Sequence, residues 1–257
     1  MIWHHIEKGR GRPLILLHGI GMNSEAWGPV MDRLAVQRRV ISCDIPGFGR
    51  TPGLTGEPNA AAMVESLGQS LREMGIDEPV DVVGNSLGGR IALEAGTTGL
   101  ARSVVGISPA GLWKTKGPFH IEYMFGAMRK GYKLMPAVAE AALQTGLGRA
   151  LLMSGSVSAR AWKMPAHEAV RAARMFAESH HFEPIFEAFR PPFAGGDRIT
   201  VPCTIAFGDL DLVFPAGTRD RSRAPAHTHW VRLPACGHVP MWDNPDLVTH
   251  VILNATR

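Results

Sequence analysis

The serine at position 86 stands in a pattern that is typical of a nucleophile. It lies at the centre of 84–88 (GNSLG), which matches the pattern G-x-S-x-G. The predicted strand Val80–Gly84 (VDVVG) precedes it and a stretch of helix-forming residues follows, so we expect Ser86 on a tight turn between a strand and a helix. Gly84 and Gly88 would let the strand and the helix approach closely. Such a turn presents the hydroxyl above a sheet, where it can attack a carbonyl carbon.

A serine hydroxyl attacks efficiently only when a base removes its proton, and His238 is the candidate base. It lies in 234–240 (PACGHVP), directly after the last predicted strand. This loop opens at the carboxyl end of the sheet, where the sites of α/β proteins assemble. The other ten histidines fall on or beside predicted strands or inside predicted helices. His238 is therefore the predicted general base.

The imidazole in turn needs a carboxylate that fixes its tautomer and stabilises its charged form. The segment 207–215 (FGDLDLVFP) follows the preceding strand and carries Asp209 and Asp211 at the same edge of the sheet. Both qualify by location. Asp211 lies deeper in the loop, just before an apolar stretch, and a water-shielded carboxylate orients a histidine better. We therefore predict Asp211 as the third catalytic residue and Asp209 as a residue that stabilises the loop.

These loops require a sheet whose strands alternate with helices. Short apolar runs at regular intervals predict a mostly parallel central sheet with helices on both faces. A 3.6-residue apolar period over Ala60–Met74 predicts a helix, Asp246–Asn254 predicts a closing helix, and Ile2–Glu7 an edge strand. The main predicted strands are Pro13–His18, Arg39–Cys43, Val80–Gly84, Ser103–Ile107, Cys203–Phe207 and His229–Leu233.

One long stretch interrupts this alternation. Residues 112–196 show no strand pattern and are rich in methionine and phenylalanine, and four prolines divide them into several short helices. We predict that 112–196 form a helical cap inserted into an α/β core made of 1–111 and 197–257. The prolines expected to break the helices are Pro118, Pro136, Pro165 and Pro184.

The order Ser86, Asp211, His238 and four further segments make the chain resemble the α/β-hydrolase fold superfamily. His18-Gly19 resembles the family's oxyanion loop, and 44–51 (DIPGFGRT) resembles its D-x-P-G-x-G-x-S/T turn. The acid loop 208–215 and the terminal G-H-x-P at 237–240 also match. The resemblance implies an oxyanion hole made by the backbone N–H groups of Ile20 and Leu87, with Gly21 as a weaker alternative to Ile20. It implies no cofactor.

Several reactions are compatible with this constellation. The favoured one is hydrolysis of a small or medium, largely apolar ester, thioester or lactone through an acyl-enzyme. The elbow 85–89 and the segment Cys236–Trp242 also resemble the carbon–carbon bond hydrolases of ring-fission products, although 18–23 (HGIGMN) departs from their usual loop. A cofactor-free perhydrolase or lactonase is a third alternative. A small-ligand receptor on a hydrolase scaffold is the non-enzymatic one.

Composition limits the partners. The formal net charge is +4 and the basic residues are scattered, so no basic stripe suggests nucleic acid. Three widely spaced cysteines indicate neither a disulfide framework nor, with the histidines, a metal site. No apolar run approaches the ~20 residues that span a bilayer, and no signal peptide is evident. We expect a cytoplasmic protein with a small-molecule substrate and no membrane partner. An apolar cap face is also compatible with a homodimer.

Overall fold

The structure is a computed structural model that describes residues 1–155 and 157–257. The described residues form one seven-stranded sheet in the order β1-β3-β2-β4-β5-β6-β7, parallel except that β1 runs antiparallel to β3. This confirms the predicted mostly parallel sheet. The strands are β1 (His5–Lys8), β2 (Pro13–Leu17), β3 (Arg39–Cys43), β4 (Val80–Asn85), β5 (Ala101–Ile107), β6 (Cys203–Gly208) and β7 (His229–Leu233).

Helices lie on both faces of the sheet and in one long insertion between β5 and β6. Within the described part of the chain they are α1 (Gly28–Ala35), α2 (Ala60–Glu73), α3 (Leu87–Gly96), α4 (Phe119–Leu134), α5 (Pro136–Leu143), α6 (Gly146–Met153), α7 (Ala166–Glu178), α8 (Phe182–Ala188) and α9 (Pro245–Ala255). The five inserted helices, α4 to α8, fall inside the range predicted for the cap. None of the helices described is both long enough and apolar enough to cross a membrane.

Two apolar clusters hold the sheet between its layers. Ile15 and Val82 point to the cluster that contains α2 and α3, and Leu16 and Val83 point to the cluster that contains α1 and α9. Side chains alternate between the faces of a strand, so a strand covered on both sides must be apolar at every position. This is why β2 is a continuous apolar run. Up to Val83, β4 is apolar except at Asp81, whose buried carboxylate pairs with Arg12 (3.0 Å) and Arg38.

Two local predictions are wrong. The edge strand begins at His5 and not at Ile2, because the N–H groups of Trp3 and His4 donate to the hydroxyls of Ser70 (2.8 Å) and Thr51 (2.9 Å) and not to a neighbouring strand. Pro184 does not break a helix, because it lies in the first turn of α8, where a missing N–H costs no helical hydrogen bond. Pro118, Pro136 and Pro165 do stand at helix starts, as predicted.

The insertion is closed at its base by hydrogen bonds. The Phe193 N–H donates to the Gly111 carbonyl (2.8 Å), and the Trp113 indole N–H donates to the Arg190 carbonyl (2.9 Å). The chain therefore leaves the sheet after β5 and returns to it at nearly the same place.

Candidate active site

Ser86 occupies the sharp turn between β4 and α3. Its backbone has φ 55° and ψ −112°, a left-handed region that non-glycine residues rarely adopt. A Cβ added at Gly84 would lie closer than 3.0 Å to the carbonyl oxygen of Gly88, and one at Gly88 would lie as close to the carbonyl oxygen of Leu17. The two glycines are therefore required by the close approach of strand and helix, as the sequence predicts.

Asp211 and His238 meet above the carboxyl ends of β6 and β7. The Nδ1 atom of His238 is 3.1 Å from both carboxylate oxygens of Asp211. The Asp211 Oδ1 atom also accepts the backbone N–H groups of Val213 (3.0 Å) and Phe214 (2.9 Å), which fix the carboxylate. The Phe214 ring packs edge-on against the imidazole, with 4.9 Å between centroids. The Asp211 carboxylate at Nδ1 and the packed Phe214 ring together fix the orientation of the imidazole.

The surroundings of Asp211 keep it ionised. Burial alone would raise the pKa of this carboxyl. The facing His238 and the N–H of Phe214 outweigh burial, so the pKa of Asp211 lies below its ordinary value. A carboxylate at this position favours the imidazole tautomer with its proton on Nδ1, which leaves Nε2 free to accept a proton.

Ser86 and His238 face the same cavity, but their side chains are not hydrogen-bonded in this structure. The Nε2 atom of His238 is buried and has no hydrogen-bond partner among residues 1–155 and 157–257. Both side chains line one cavity. The three predicted catalytic residues are thus brought to one place, with the carboxylate–imidazole contact formed and the imidazole–hydroxyl contact open.

The predicted oxyanion donors lie on either side of Ser86. Gly19 and Met22 close a turn through the Met22 N–H and the Gly19 carbonyl (3.2 Å), and Gly21 takes φ 71° within it. Within the described chain, neither the N–H of Ile20 nor that of Leu87 donates to an acceptor. Leu87 is the first residue of α3, where an N–H has no partner in its own helix. Both N–H groups are thus free to bind a negative oxygen.

His18 holds this turn and does not act as a base. Its Nε2 accepts the N–H of Ile45 (2.9 Å), and its Nδ1 lies 2.7 Å from the Gly19 carbonyl, to which it donates. Complete burial lowers the pKa of His18 to about 4, so the ring is neutral. The motif residue His18 therefore joins the turn to the strand-end loop that follows β3.

Sequence reasoning missed two positioning residues. The Asn85 amide donates to the carbonyls of Ile107 (3.1 Å) and His238 (2.9 Å), which links the nucleophile turn to the histidine loop. Asp243 is buried and accepts four hydrogen bonds, three from the segment 158–160 and one from the N–H of Gly237. The sequence cue that could have identified Asp243 is its position directly after the apolar segment 239–242. Asp209, which the sequence analysis expects to stabilise its loop, forms an ion pair with Arg232 of β7 (2.6 Å).

The cavity above Ser86 has a volume of about 510 Å³. It extends from the oxyanion turn between α4, α5, α6 and α7. Among the described residues that line it, none is Asp, Glu, Lys or Arg. The polar lining side chains are Asn85, Ser86, Tyr132 and His238, and the Tyr132 hydroxyl is already bonded to Glu140 (2.5 Å). The Asn85 Oδ1 atom is buried without a partner within the described chain.

This geometry agrees with a family match over most of the chain. Residues 14–251 match the model of the alpha/beta hydrolase family. The chain belongs to this family. Together with the hydrolase and esterase relatives of the chain, this membership supports a hydrolytic enzyme.

Two relatives differ in how much of the chain they match. The chain is 28% identical over 252 residues to a 2-hydroxy-6-oxo-6-(2'-aminophenyl)hexa-2,4-dienoic acid hydrolase of Metapseudomonas resinovorans, covering 94% of this chain and 83% of that protein. It is 36% identical over 95 residues to a pimeloyl-[acyl-carrier protein] methyl ester esterase of Edwardsiella ictaluri. That match covers 37% of this chain and only 34% of the esterase.

A solved structure shows the same fold. The enol-lactonase of Burkholderia xenovorans LB400 superposes with a TM-score of 0.78 and covers 98% of this chain and 94% of its own. The sequence identity is 17%, so this likeness speaks for the fold alone.

Proposed function

We propose that the protein is a serine esterase for small or medium, largely apolar carboxylic esters, including thioesters and lactones. Ser86 is the nucleophile, His238 the general base and Asp211 the residue that orients it. The observation that carries the substrate class is the cavity. An acyl chain that fills it would bury apolar surface at about 25 cal/mol per Å², whereas a carboxylate in it would meet no cationic side chain of the described lining.

The positions of these groups support the following reaction. The Ser86 Oγ attacks the carbonyl carbon while His238 Nε2 takes the hydroxyl proton, and the carbonyl oxygen becomes an oxyanion held by the N–H groups of Ile20 and Leu87. The C–O bond to the alcohol then breaks, and the alkoxide leaves with the proton from Nε2. Water, deprotonated by His238, then attacks the acyl-enzyme. The bond between the acyl carbon and the Ser86 Oγ breaks, Oγ takes the proton from Nε2, and the acid is released.

Hydrolysis of a carbon–carbon bond is the second candidate. The similarity to the dienoic acid hydrolase over nearly the whole chain favours it, as does the unpaired acceptor Asn85 Oδ1, which suits a hydroxyl donor of a substrate. The substrate named for that relative is an acid, and the described cavity lining has no Lys or Arg that would pair with a carboxylate. We therefore rank ester hydrolysis first.

The test is a side-by-side assay of nitrophenyl esters, thioesters, lactones and a ring-fission dienoate. We expect ester hydrolysis by the wild type and a loss of at least about 10³-fold in kcat for Ser86→Ala. We also expect rapid labelling of Ser86 by a fluorophosphonate. Faster turnover of the dienoate than of every ester would favour the second candidate. Equal ester rates in the wild type and Ser86→Ala would refute the first candidate, and equal dienoate rates in the two proteins would refute the second.

A further inference from the structure

An apolar surface lies on the outer side of the inserted helices, and we name it the rim. Its six side chains are largely exposed, and the most exposed are Leu151 (76%) and Leu147 (72%), one helical turn apart on α6. Soluble proteins rarely leave a contiguous apolar patch of this kind uncovered unless it binds something. The rim consists of Leu134, Met135, Val138, Leu147, Leu151 and Leu152.

The cavity of the candidate active site opens through the rim. Met135, Val138 and Leu152 line the cavity, and the same three side chains are also exposed to solvent. An apolar molecule that leaves a hydrocarbon phase at the rim therefore meets apolar side chains continuously until it reaches Ser86. A surface whose only role is to contact another protein has no need of this continuity.

Unpaired positive charge flanks the rim. The range 112–196 contains eleven Lys and Arg residues and six Glu residues, a net charge of +5, whereas the whole chain carries +4. Glu140, the acid on α5, is already paired with Arg174 (2.7 Å). Four basic residues on α4, on α6 and beside α6 form no ion pair with any carboxylate that the structure describes: Lys130, Lys133, Arg149 and Lys163.

An exposed tryptophan adjoins this surface. Trp162 is 48% exposed, and its carbonyl accepts a hydrogen bond from Arg149 of α6 (3.2 Å). Tryptophan, with an apolar ring and one N–H donor, is enriched where hydrocarbon meets water. Exposed leucines, a flanking tryptophan and unpaired lysines are the composition of helices that lie in a lipid–water interface.

We infer that the rim docks on an anionic lipid surface, from which the proposed esterase takes its apolar substrate. The substrate part of this inference rests on the proposed function, and the docking does not. A second copy of the chain suits the rim less well. Its own inserted segment, 112–196, would bring a net charge of +5 against an equal charge, and its rim would cover the opening of the cavity. This inference departs from the sequence-based expectation of no membrane partner, which rested on the lack of a spanning segment; docking on a surface does not need one.

The experiment measures binding to vesicles separately from hydrolysis. Vesicles of phosphatidylcholine with phosphatidylglycerol, and of phosphatidylcholine alone, are mixed with the wild type, Ser86→Ala and the double variant Leu147→Ser/Leu151→Ser. Neither leucine lines the cavity, so hydrolysis of a water-soluble short-chain ester should stay within about twofold in the double variant. Val36→Ser is the matched control, since Val36 is 81% exposed and follows α1 on the core.

We expect the wild type and Ser86→Ala to bind the anionic vesicles equally, and the double variant to bind at least about tenfold more weakly. Binding should weaken in high salt and on vesicles without phosphatidylglycerol, and Val36→Ser should bind like the wild type. Equal binding by the double variant, or an equal loss in Val36→Ser, would overturn the inference. So would a wild type that ignores vesicles and forms a dimer that Leu147→Ser dissociates. Vesicle binding with no dependence of esterase activity on Ser86 would refute the proposed function and leave the docking intact.

Discussion

Replacing Asp243 by asparagine or alanine distinguishes two effects of this residue. One is its contribution to the free energy of unfolding, and the other is its contribution to the position of the loop that carries His238. The Oδ1 atom accepts the Ser158 hydroxyl (2.5 Å) and the Arg160 N–H (2.8 Å). The Oδ2 atom accepts the N–H groups of Ala159 (3.1 Å) and Gly237 (2.7 Å). One buried carboxylate thus joins a segment that follows α6 to the residue before His238.

The expected magnitudes follow from this geometry. Asparagine can keep its oxygen on Ala159 and Gly237 and turn its NH₂ group toward Ser158, whose hydroxyl can accept. The bond to Arg160 is lost and the remaining bonds lose their charge, which lowers the free energy of unfolding by about 2 kcal/mol. Alanine removes all four bonds and leaves buried N–H groups unpaired, which costs about 4 kcal/mol.

Urea unfolding and ester kinetics distinguish the two effects. Because Asp243→Asn keeps the bond to Gly237, its kcat/KM should stay within about tenfold of the wild type, whereas Asp243→Ala should lose far more. Ser158→Ala, the control, removes two bonds of one hydroxyl, the one that it donates to Asp243 and the one that it accepts from the Arg160 N–H (3.1 Å). It leaves the bond from Gly237 to Asp243 intact and should cost about 1–2 kcal/mol with little change in kcat/KM. The reasoning is refuted if Asp243→Ala unfolds at the wild-type urea concentration, or if the asparagine variant loses as much activity as the alanine variant.

Three further outcomes follow from burial and close packing. His18 is neutral when folded, with a pKa of about 4 against an ordinary 6.5, so the unfolded chain takes up the proton first. Protonation of this group should lower the free energy of unfolding by about 3 kcal/mol between pH 7.5 and pH 4. Urea unfolding of His18→Gln at several pH values should lack this part of the pH dependence. The three cysteine thiols are buried, with pKa values raised to about 11 or 12, so a colorimetric disulfide reagent at pH 8 should react within minutes only after unfolding. Gly84→Ala should cost about 3 kcal/mol or more, whereas Gly126→Ala, in open space on α4, should add about 1 kcal/mol; thermal unfolding of both variants checks the contrast.

The meeting of Ser86, Asp211 and His238 was predictable because parallel strands end at one edge of a sheet. Each residue follows a strand that a short, mainly apolar segment identifies, so the topology alone brings the loops together. The preference for Asp211 over Asp209 also rested on a readable cue, the apolar residues after it. In the structure Asp211 is buried against His238, and Asp209 faces Arg232 at the surface.

The rest depended on contacts between distant segments. Asp243 binds mainly backbone N–H groups, and a backbone donor leaves no trace in the sequence of the segment that supplies it. The rim was equally invisible, because Leu147 and Leu151 follow the same helical period as buried leucines. Only the docking of the helices decides which apolar stripe faces inward.

The hydrogen bond between Phe193 and Gly111 has an evolutionary consequence. Because the two ends of the inserted segment meet, the segment connects β5 to β6 in the way that a single closed loop would. The entropic cost of closing a loop grows only with the logarithm of its length, so helices can be added to or removed from this segment at little cost to the rest of the molecule. Evolution can therefore change the substrate preference by replacing the inserted helices, while the strands that carry the reacting groups stay unchanged.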